Sequence, residues 1–255
     1  MDAEVQEQLS RLAGWSVACL ATYVALFKFC VPASLTKRKD RLYWASCLIG
    51  SAHALYMSCE ALRLFISGEV HLWDDFGTRH RVWERSLEFS IGFYVFDTGL
   101  TLYSTEQVGR GELLFHHMLA LVEHFWPVCA CHKFAAVSML GYLSELSTPL
   151  VNARWMLSSA AGGGSSTTLY LVNGVLMMLV FFVSRPVFQL GTLYQLYGAA
   201  PRELGSSVGA ALAPCMGWPA HLVAPLGVSF YLLNLFWMWK MIKGALKVFG
   251  APKRS

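Results

Sequence analysis

Residues 112–128 read ELLFHHMLALVEHFWPV, a stretch with the composition of a membrane span that nevertheless contains His116, His117, Glu123 and His124. An ionisable group at membrane depth costs about 2.5–3.5 kcal/mol on insertion scales, so such a group normally faces the interior of a helix bundle. His117 and His124 are seven residues apart, as are His116 and Glu123, so each pair shares a helix face. The stretch therefore predicts a transmembrane helix in a bundle with a polar interior.

The composition of the whole chain agrees with a membrane protein. Its 255 residues are 55% hydrophobic and 14% charged, and the mean hydropathy is +0.45. A soluble domain carries about 25% charged residues. Apolar runs of about 20 residues match the length of a helix that crosses about 30 Å of hydrocarbon. The formal net charge of +4 lies mainly near the ends of these runs, and no basic face with interleaved aromatics suggests a nucleic-acid partner.

The apolar runs predict an all-α integral membrane protein with about seven transmembrane helices. The predicted spans are 14–35, 42–67, 87–104, 112–131, 133–157, 168–185 and a segment within 208–243. The sixth span has a kinked continuation to Tyr197 as an alternative, because Pro186 interrupts it. The last segment contains three prolines in its first half, which leaves open one bent span or a re-entrant part.

The ends of the chain and its loops predict the orientation. Residues 1–13 form an acidic tail without the basic region of a cleaved signal peptide, so the first span is retained. Segment 36–41 and the C-terminal region, including the basic tail 249–255, are rich in Lys and Arg, which favours the cytosolic side. An odd number of spans then places the N-terminus in the lumen. A polar loop is expected at 69–85 and a Gly/Ser-rich linker at 160–168.

Other polar residues lie inside the predicted spans and define a candidate site. His53 lies in the second span and Asp97 in the third, and a short turn near Gly109 makes the third and fourth spans antiparallel neighbours. Asp97 is therefore expected near the histidine pair, where a carboxylate would hold the tautomer of an imidazole and raise its basicity. Glu145, Thr148 and Asn152 follow at i, i+3 and i+7, so they form one polar stripe.

Each of these features also has a purely structural interpretation. The histidine pair and the polar stripe would serve equally well as hydrogen-bonding links between helices. Glu123 and His124 lie near the end of their span, where they are expected at the membrane interface. Arg154 and Trp155 have the character of an interfacial anchor.

The cysteines do not indicate a metal site. Most of the seven lie in apolar segments and are predicted to be small buried hydrophobic residues rather than a disulfide framework. The cluster Cys129-Ala-Cys131-His132 lacks a second ligand pair at suitable spacing, so no metal is predicted.

The polar positions also carry a resemblance to a known family. Trp44 and His53 in the second span, Asp97 in the third and the histidine pair in the fourth resemble the TLC domain. This domain is shared by ceramide synthases, the translocating-chain-associated membrane protein and the ceroid-lipofuscinosis ER protein. The string LSELSTPLVNARW at 143–155 is similar to the E-x-S-[ST]-P-x-x-N-x-R-W stretch of small TLC-domain proteins. The runs 172–186 and 234–248 are similar to the matching spans.

The resemblance implies a six-helix TLC domain at 36–248, preceded by an N-terminal span, in the endoplasmic reticulum or another endomembrane. In ceramide synthases the double histidine is needed to transfer an acyl group from acyl-CoA to a sphingoid amine. Carried over, His116, His117 and Asp97 would be catalytic, with acyl-CoA as co-substrate and no other cofactor. The enzymes carry aspartates in the helix after the histidines, where this chain has Glu145 and Asn152, and it lacks their homeobox-like segment.

The sequence thus favours a protein of lipid homeostasis whose partners are membrane lipids and an acyl-chain ligand. The candidate lipid-binding residues are His53, Asp97, His116, His117, Glu145 and Asn152. The alternative is an acyl-CoA-dependent acyltransferase that uses His116 and His117. A cargo receptor that acts through its lumenal loops remains open, as does a proton-coupled transporter, although no inverted repeat supports the latter.

Overall fold

The computed structural model describes residues 3–68, 81–104, 109–129, 131, 135–160 and 167–250, and over these residues the chain forms helices and no strand. The α-helices are α1 (Ala3–Phe29), α2 (Arg38–Ser67), α3 (Arg81–Tyr103), α4 (Arg110–Cys129), α5 (Ala135–Gly141), α6 (Thr148–Ala160), α7 (Thr168–Phe182), α8 (Phe188–Tyr194), α9 (Ala200–Glu203), α10 (Val208–Met216) and α11 (Val223–Gly250). The all-helical class predicted from the sequence is confirmed. The described part of the chain does not include three segments for which the sequence makes predictions: the loop residues 69–80, most of the linker (161–166) and the tail residues 251–255.

Three helical segments are long and apolar enough to cross a membrane by length and composition. They are Glu4–Phe29, Thr168–Glu203 and Trp218–Lys247. Helices α2, α3 and α4 are 30, 23 and 20 residues long and carry the polar side chains that the sequence placed in the bundle interior. The total of about seven spans stays a prediction.

Helix α1 begins eleven residues before the predicted first span. Segment 1–13 was expected to be a tail, but from Ala3 onward it forms the first turns of α1. Gln8 donates to the carbonyl oxygen of Val128 at 3.1 Å, and Arg11 makes two hydrogen bonds to the carboxylate of Glu88 at 2.9 and 2.8 Å. These contacts with α4 and α3 hold the acidic segment in helical conformation.

One end of the bundle collects basic residues and is called the basic end, defined by segment 36–41 and Lys240. Arg38 donates to the hydroxyl of Tyr103 at 2.8 Å, which joins the start of α2 to the end of α3. Lys240 contacts both carboxylate oxygens of Glu112 at 3.0 Å, which joins α11 to the start of α4. Helices α1 to α4 therefore alternate in direction, as the short turn near Gly109 predicts for α3 and α4.

The opposite end contains a disulfide between Cys131 and Cys215 and is called the disulfide end. The interpretation of the cysteines as small buried hydrophobic residues is wrong for these two and for Cys30 and Cys59, which are free but exposed. It holds for Cys19 and Cys47, which are free and buried. The two bonded cysteines are 84 residues apart. Their pairing follows from the position of α10 beside the end of α4, which local sequence patterns do not encode.

Two interruptions shape the C-terminal half. Pro186 lies in a π-helical turn, Val183–Val187, that joins α7 to α8, and the helical path continues to Glu203. The continuation to Tyr197 is thus confirmed, because the missing proline N–H is accommodated in a wide turn rather than by a break, whereas the kink stays a prediction. In the segment 208–243, Gly217 adopts φ 66° and ψ −148°, which ends α10 before a 3-10 turn, Trp218–Leu222, leads into α11.

Helix α1 approaches α3 closely at a glycine. The hydroxyl of Ser16 donates to the carbonyl oxygen of Gly92 at 2.9 Å, and a Cβ added at Gly92 would collide with the Cβ of Trp15. At Gly99, on the same helix, a Cβ would have no heavy atom within 4 Å. The absence of a side chain at Gly92 is therefore needed for the packing of α1.

We expect Gly92→Ala to lower the free energy of unfolding by about 1–3 kcal/mol, because the added methyl group overpacks the contact with α1. The matched variant Gly99→Ala should be neutral or stabilise the protein by up to about 1 kcal/mol, since alanine replaces glycine within a helix. Unfolding in mixed SDS micelles, followed by circular dichroism, measures both. Equal stability of the two variants would contradict the close α1–α3 contact.

Candidate functional site

The residues predicted from the sequence converge on one cavity of about 400 Å³, which we call the main cavity. Its lining includes the six predicted residues: His53, Asp97, His116, His117, Glu145 and Asn152. They come from α2, α3, α4, α6 and the 3-10 turn Tyr142–Ser147. This volume falls within the range of about 300–1,000 Å³ that is typical of small-molecule sites.

His117 is held by α3. Its Nε2 lies 3.3 Å from Oδ2 of Asp97, and its Nδ1 lies 3.4 Å from the hydroxyl of Thr98. Asp97 also receives a hydrogen bond from Ser46 at 3.5 Å. The predicted proximity of Asp97 to the histidine pair is therefore present in the structure, and both nitrogens of His117 have partners.

His116 faces a different carboxylate. Its Nε2 lies 3.7 Å from Oε1 of Glu145, whose second oxygen accepts a hydrogen bond from Thr148 at 2.5 Å. Its Nδ1 is buried without a hydrogen-bond partner in the described part of the chain. The adjacent histidines thus differ, because both ring nitrogens of His117 lie within 3.4 Å of a polar partner, whereas Nδ1 of His116 has none among the described residues.

Arg185 is a site residue that the sequence analysis did not select. Its Nη2 lies 3.4 Å from Oε1 of Glu145, and its guanidinium also donates to Ser147, Thr148 and Asn234, each at 3.0 Å. Its side chain is 5% exposed. The available signal was an arginine directly before a proline in an apolar run, and the π-helical turn at that position directs the arginine inward.

Two of the predicted residues make mainly structural contacts. His53 stacks on Phe93 with ring centroids 3.9 Å apart, and its Nε2 pairs with the hydroxyl of Ser90 at 2.7 Å. The amide nitrogen of Asn152 donates to Cys47 O and to Ser51 Oγ at 3.1 and 3.0 Å. Both line the main cavity, but these bonds link α2 to α3 and to α6.

Tyr94 occupies the centre of the histidine cluster and was not anticipated. Its ring centroid lies within 6.3 Å of the centroids of four histidines: His53, His116, His117 and His124. It is 4% exposed. A tyrosine in an apolar span carries no distinctive pattern, so only the packing of α2, α3 and α4 around it reveals this position.

The main cavity reaches toward the basic end of the bundle. Glu112 and Lys240 line it there as an ion pair, and Trp237 Nε1 also donates to Glu112 at 3.1 Å. Farther along, apolar walls are supplied by residues such as Phe93, Val151 and Phe181. The cavity is amphiphilic, with charged groups at its mouth and around the histidines and apolar surface between them.

The expected interfacial position is wrong for His124 and stays a prediction for Arg154 and Trp155. His124 is 5% exposed and stacks on Tyr142 with centroids 4.6 Å apart, so it lies inside the bundle. Trp155 packs against Tyr43 at 4.5 Å, and the guanidinium of Arg154 lies 4.1 Å from the ring centroid of Tyr170. Each of these three side chains therefore contacts a residue of another helical element.

The absence of a metal site stays a prediction. Among the described residues, no group of three or more His, Cys, Asp or Glu side chains is arranged to hold a metal ion. His132, part of the cysteine-rich cluster considered above, lies outside those residues.

Comparison with known proteins identifies relatives along most of the chain. The model of the TLC domain family matches residues 43–243. TLC domain-containing protein 4-B of Xenopus laevis is 28% identical over 227 residues, covering 82% of this chain and 77% of the relative. TLC domain-containing protein 4 of Homo sapiens is 25% identical over 214 residues, covering 82% and 76%. TLC domain-containing protein 4-B of Danio rerio is 26% identical over 216 residues, covering 80% and 74%.

Proposed function

This chain belongs to the TLC domain family, and from that premise we propose that it acts in lipid homeostasis as a multi-pass protein of the endoplasmic reticulum or another endomembrane. Its role is to hold an acyl-chain lipid in the main cavity. The observation that carries this proposal is the convergence of the six predicted polar residues, together with Arg185, on one amphiphilic cavity in an apolar helical protein.

The proposed arrangement has seven membrane crossings. Each crossing is formed by one of these segments: α1, α2, α3, α4, the pair α5–α6, the path α7–α9 and α11. Helix α10 contributes a short segment at the disulfide end. Buried ionisable side chains in α2 to α6 do not oppose this arrangement, because they contact one another or line the cavity.

Two independent features support a lumenal N-terminus and a cytosolic C-terminus. Segment 36–41, with four basic residues, and Lys240 lie at the same end of the bundle, as the positive-inside tendency favours for a cytosolic face. The disulfide lies at the opposite end, and disulfides form and persist in the oxidising lumen of the endoplasmic reticulum.

Labelling of Cys30 tests this orientation. Cys30 is exposed, free and located directly after α1 at the basic end. In sealed microsomes whose cytosolic face points outward, we expect a membrane-impermeant maleimide to label the wild type without permeabilisation, and Cys30→Ala to lose that label. Labelling of Cys30 only after permeabilisation would reverse the proposed orientation.

The cavity offers distinct surroundings for the two parts of a lipid. The ion pairs Arg185–Glu145 and Lys240–Glu112, together with the imidazole of His116, provide donors and acceptors for a polar head group. The aromatic and aliphatic walls provide surface for an acyl chain, whose burial contributes about 0.8 kcal/mol for each CH₂ group. Charged groups inside the bundle would favour a lipid with hydrogen-bonding capacity over a wholly apolar molecule.

We expect the protein purified in mild detergent to retain a specific lipid, identified by mass spectrometry after extraction. His117→Ala should change which lipid is retained, because it removes the imidazole that Asp97 orients in the cavity. The matched control is His221→Ala, since His221 is exposed and outside the cavity. Recovery of bulk phospholipid alone from the wild type would contradict the proposal.

An acyl-CoA-dependent acyltransferase is the second candidate. It is favoured by the two histidine–carboxylate pairs, His116 with Glu145 and His117 with Asp97, which supply groups suited to general base catalysis. In that case His116, His117 and Asp97 would be catalytic, and acyl-CoA would enter from the basic end. Microsomes that contain the protein would then consume labelled acyl-CoA with an amine or a lysolipid as acceptor.

A further inference from the structure

A second chamber of about 70 Å³ lies beyond the histidine pair, on the side of the disulfide end. It shares a wall with the main cavity, formed by Tyr94, His116, Glu145 and Arg185. Its own polar lining includes Glu123 and His124, to which the proposed lipid site assigns no role. The chamber therefore adjoins the site but presents a separate set of ionisable groups.

Two imidazole nitrogens that belong to this lining have no hydrogen-bond partner among the described residues. Nδ1 of His116 and Nδ1 of His124 are buried and receive no hydrogen bond from the described residues. Both residues are more than nine-tenths buried, at 8% and 5% exposure. They are eight residues apart on α4 with Ala120 midway between them, so they share one helix face, and all three line the chamber.

The size and lining of the chamber select its occupant. The volume suits a few ordered water molecules and is too small for an acyl chain. Buried polar groups are almost always hydrogen-bonded, because leaving them without a partner is costly. Toward the disulfide end the lining includes Met216 and Pro219, next to the Cys131–Cys215 bond, so this end is walled by the α10 region.

We propose that the second chamber is a water site that connects His116 to Glu123 and His124 and passes protons between them. A neutral imidazole can accept a proton at one ring nitrogen and release one from the other. A proton arriving at Nε2 of His116, on the Glu145 side, would leave from Nδ1 to water in the chamber, so the imidazole ends in its original charge state. The water site would thereby allow the proton of a bound ligand to reach Glu123.

Hydroxyl-radical labelling in ¹⁸O-water tests the presence of water in the chamber, with the full chain in lipid nanodiscs. We expect ¹⁸O label on Tyr142 and Met216, which line the chamber although they are 1% and 7% exposed. The internal controls are Met57 and Met139, which are 0% and 1% exposed and line neither cavity. Label on Tyr142 and Met216 no higher than on these controls would overturn the proposal.

Deuterium exchange at the imidazole C2 position tests the connection to His116. Ala120→Leu places apolar atoms between the two imidazoles, and we expect slower exchange at both histidines together with loss of the ¹⁸O label.

His124→Phe keeps an aromatic ring stacked against Tyr142 and serves as a second variant with the same expected loss of the ¹⁸O label. Ala120→Ser is the matched control and should behave as the wild type. Unchanged exchange at His116 in a folded Ala120→Leu protein would overturn the path.

These measurements read water and not lipid, so they are independent of the proposed lipid site. A protein that retains no specific lipid but shows the label would lose the proposed function and keep the water site. A protein that retains a specific lipid but shows no ¹⁸O label would keep the proposed function and lose the water site.

Discussion

Replacement of Arg185 by methionine should lower the free energy of unfolding by about 3–5 kcal/mol, because it leaves the carboxylate of Glu145 buried without its cationic partner. The same change removes the donors to Ser147, Thr148 and Asn234. Unfolding in mixed SDS micelles measures the loss. Arg185 is the residue whose side chain joins the π-helical turn, the 3-10 turn and α11, so the effect should be among the largest of any single substitution.

Two further variants separate the charge effect from loss of packing. Arg154→Met is the matched control, because Arg154 is half-buried and stacks on Tyr170; we expect a loss of about 1 kcal/mol. In the double variant Arg185→Met/Glu145→Gln, the unpaired charge is gone, so a substantial part of the stability should return. Equal losses for Arg185→Met and Arg154→Met would contradict the buried ion pair.

If the protein transfers acyl groups, His116→Ala should lower the rate by about 10²- to 10⁴-fold, the range that general acid–base catalysis typically contributes. The reason is geometric, since His116 has a nitrogen without a partner in the described part of the chain and lines both the main cavity, beside Glu145, and the second chamber. His116→Ala should lower stability less than Arg185→Met does, because Arg185 still pairs with the carboxylate of Glu145. Turnover of labelled acyl-CoA in microsomes provides the measurement, and His221→Ala is the control.

The double variant His116→Ala/His117→Ala gives the decisive comparison for this candidate. It should abolish acyl transfer while leaving the protein folded, as judged by the intact Cys131–Cys215 disulfide. Equal acyl-CoA consumption and equal cellular lipid profiles with wild type and double variant would remove the acyltransferase candidate. Lipid retention in the main cavity would then be the remaining explanation for the histidine pair.

Much of the architecture could be predicted from periodicity and composition. The apolar runs predicted the helices, and Pro186 predicted the interruption of the sixth. The short connection at Gly109 placed α3 beside α4, which brought Asp97 within 3.3 Å of His117. The spacing of Glu145, Thr148 and Asn152 predicted one polar stripe, and all three residues line the main cavity. These features depend on neighbours in sequence or on a single tight connection, so local rules suffice.

The expectations that failed concern residues whose surroundings come from distant segments. His124 was expected at the interface because it lies late in its span, yet it is stacked between Tyr94 and Tyr142. Segment 1–13 was expected to be a tail, yet Arg11 binds Glu88. In each case the partner lies on a different helix, and the position along a span does not indicate which helix will pack against it.

The sequence by itself determined that this chain is helical, apolar enough for a membrane and polar at a few positions within its spans. It also determined which of those positions share a helix face, because the 3.6-residue repeat is a property of the backbone. Only the tertiary structure decided that Arg185 meets Glu145 across 40 residues of chain and that Cys131 meets Cys215 across 84. The physical reason is that the rotation and neighbours of each helix are set by side-chain packing over the whole bundle.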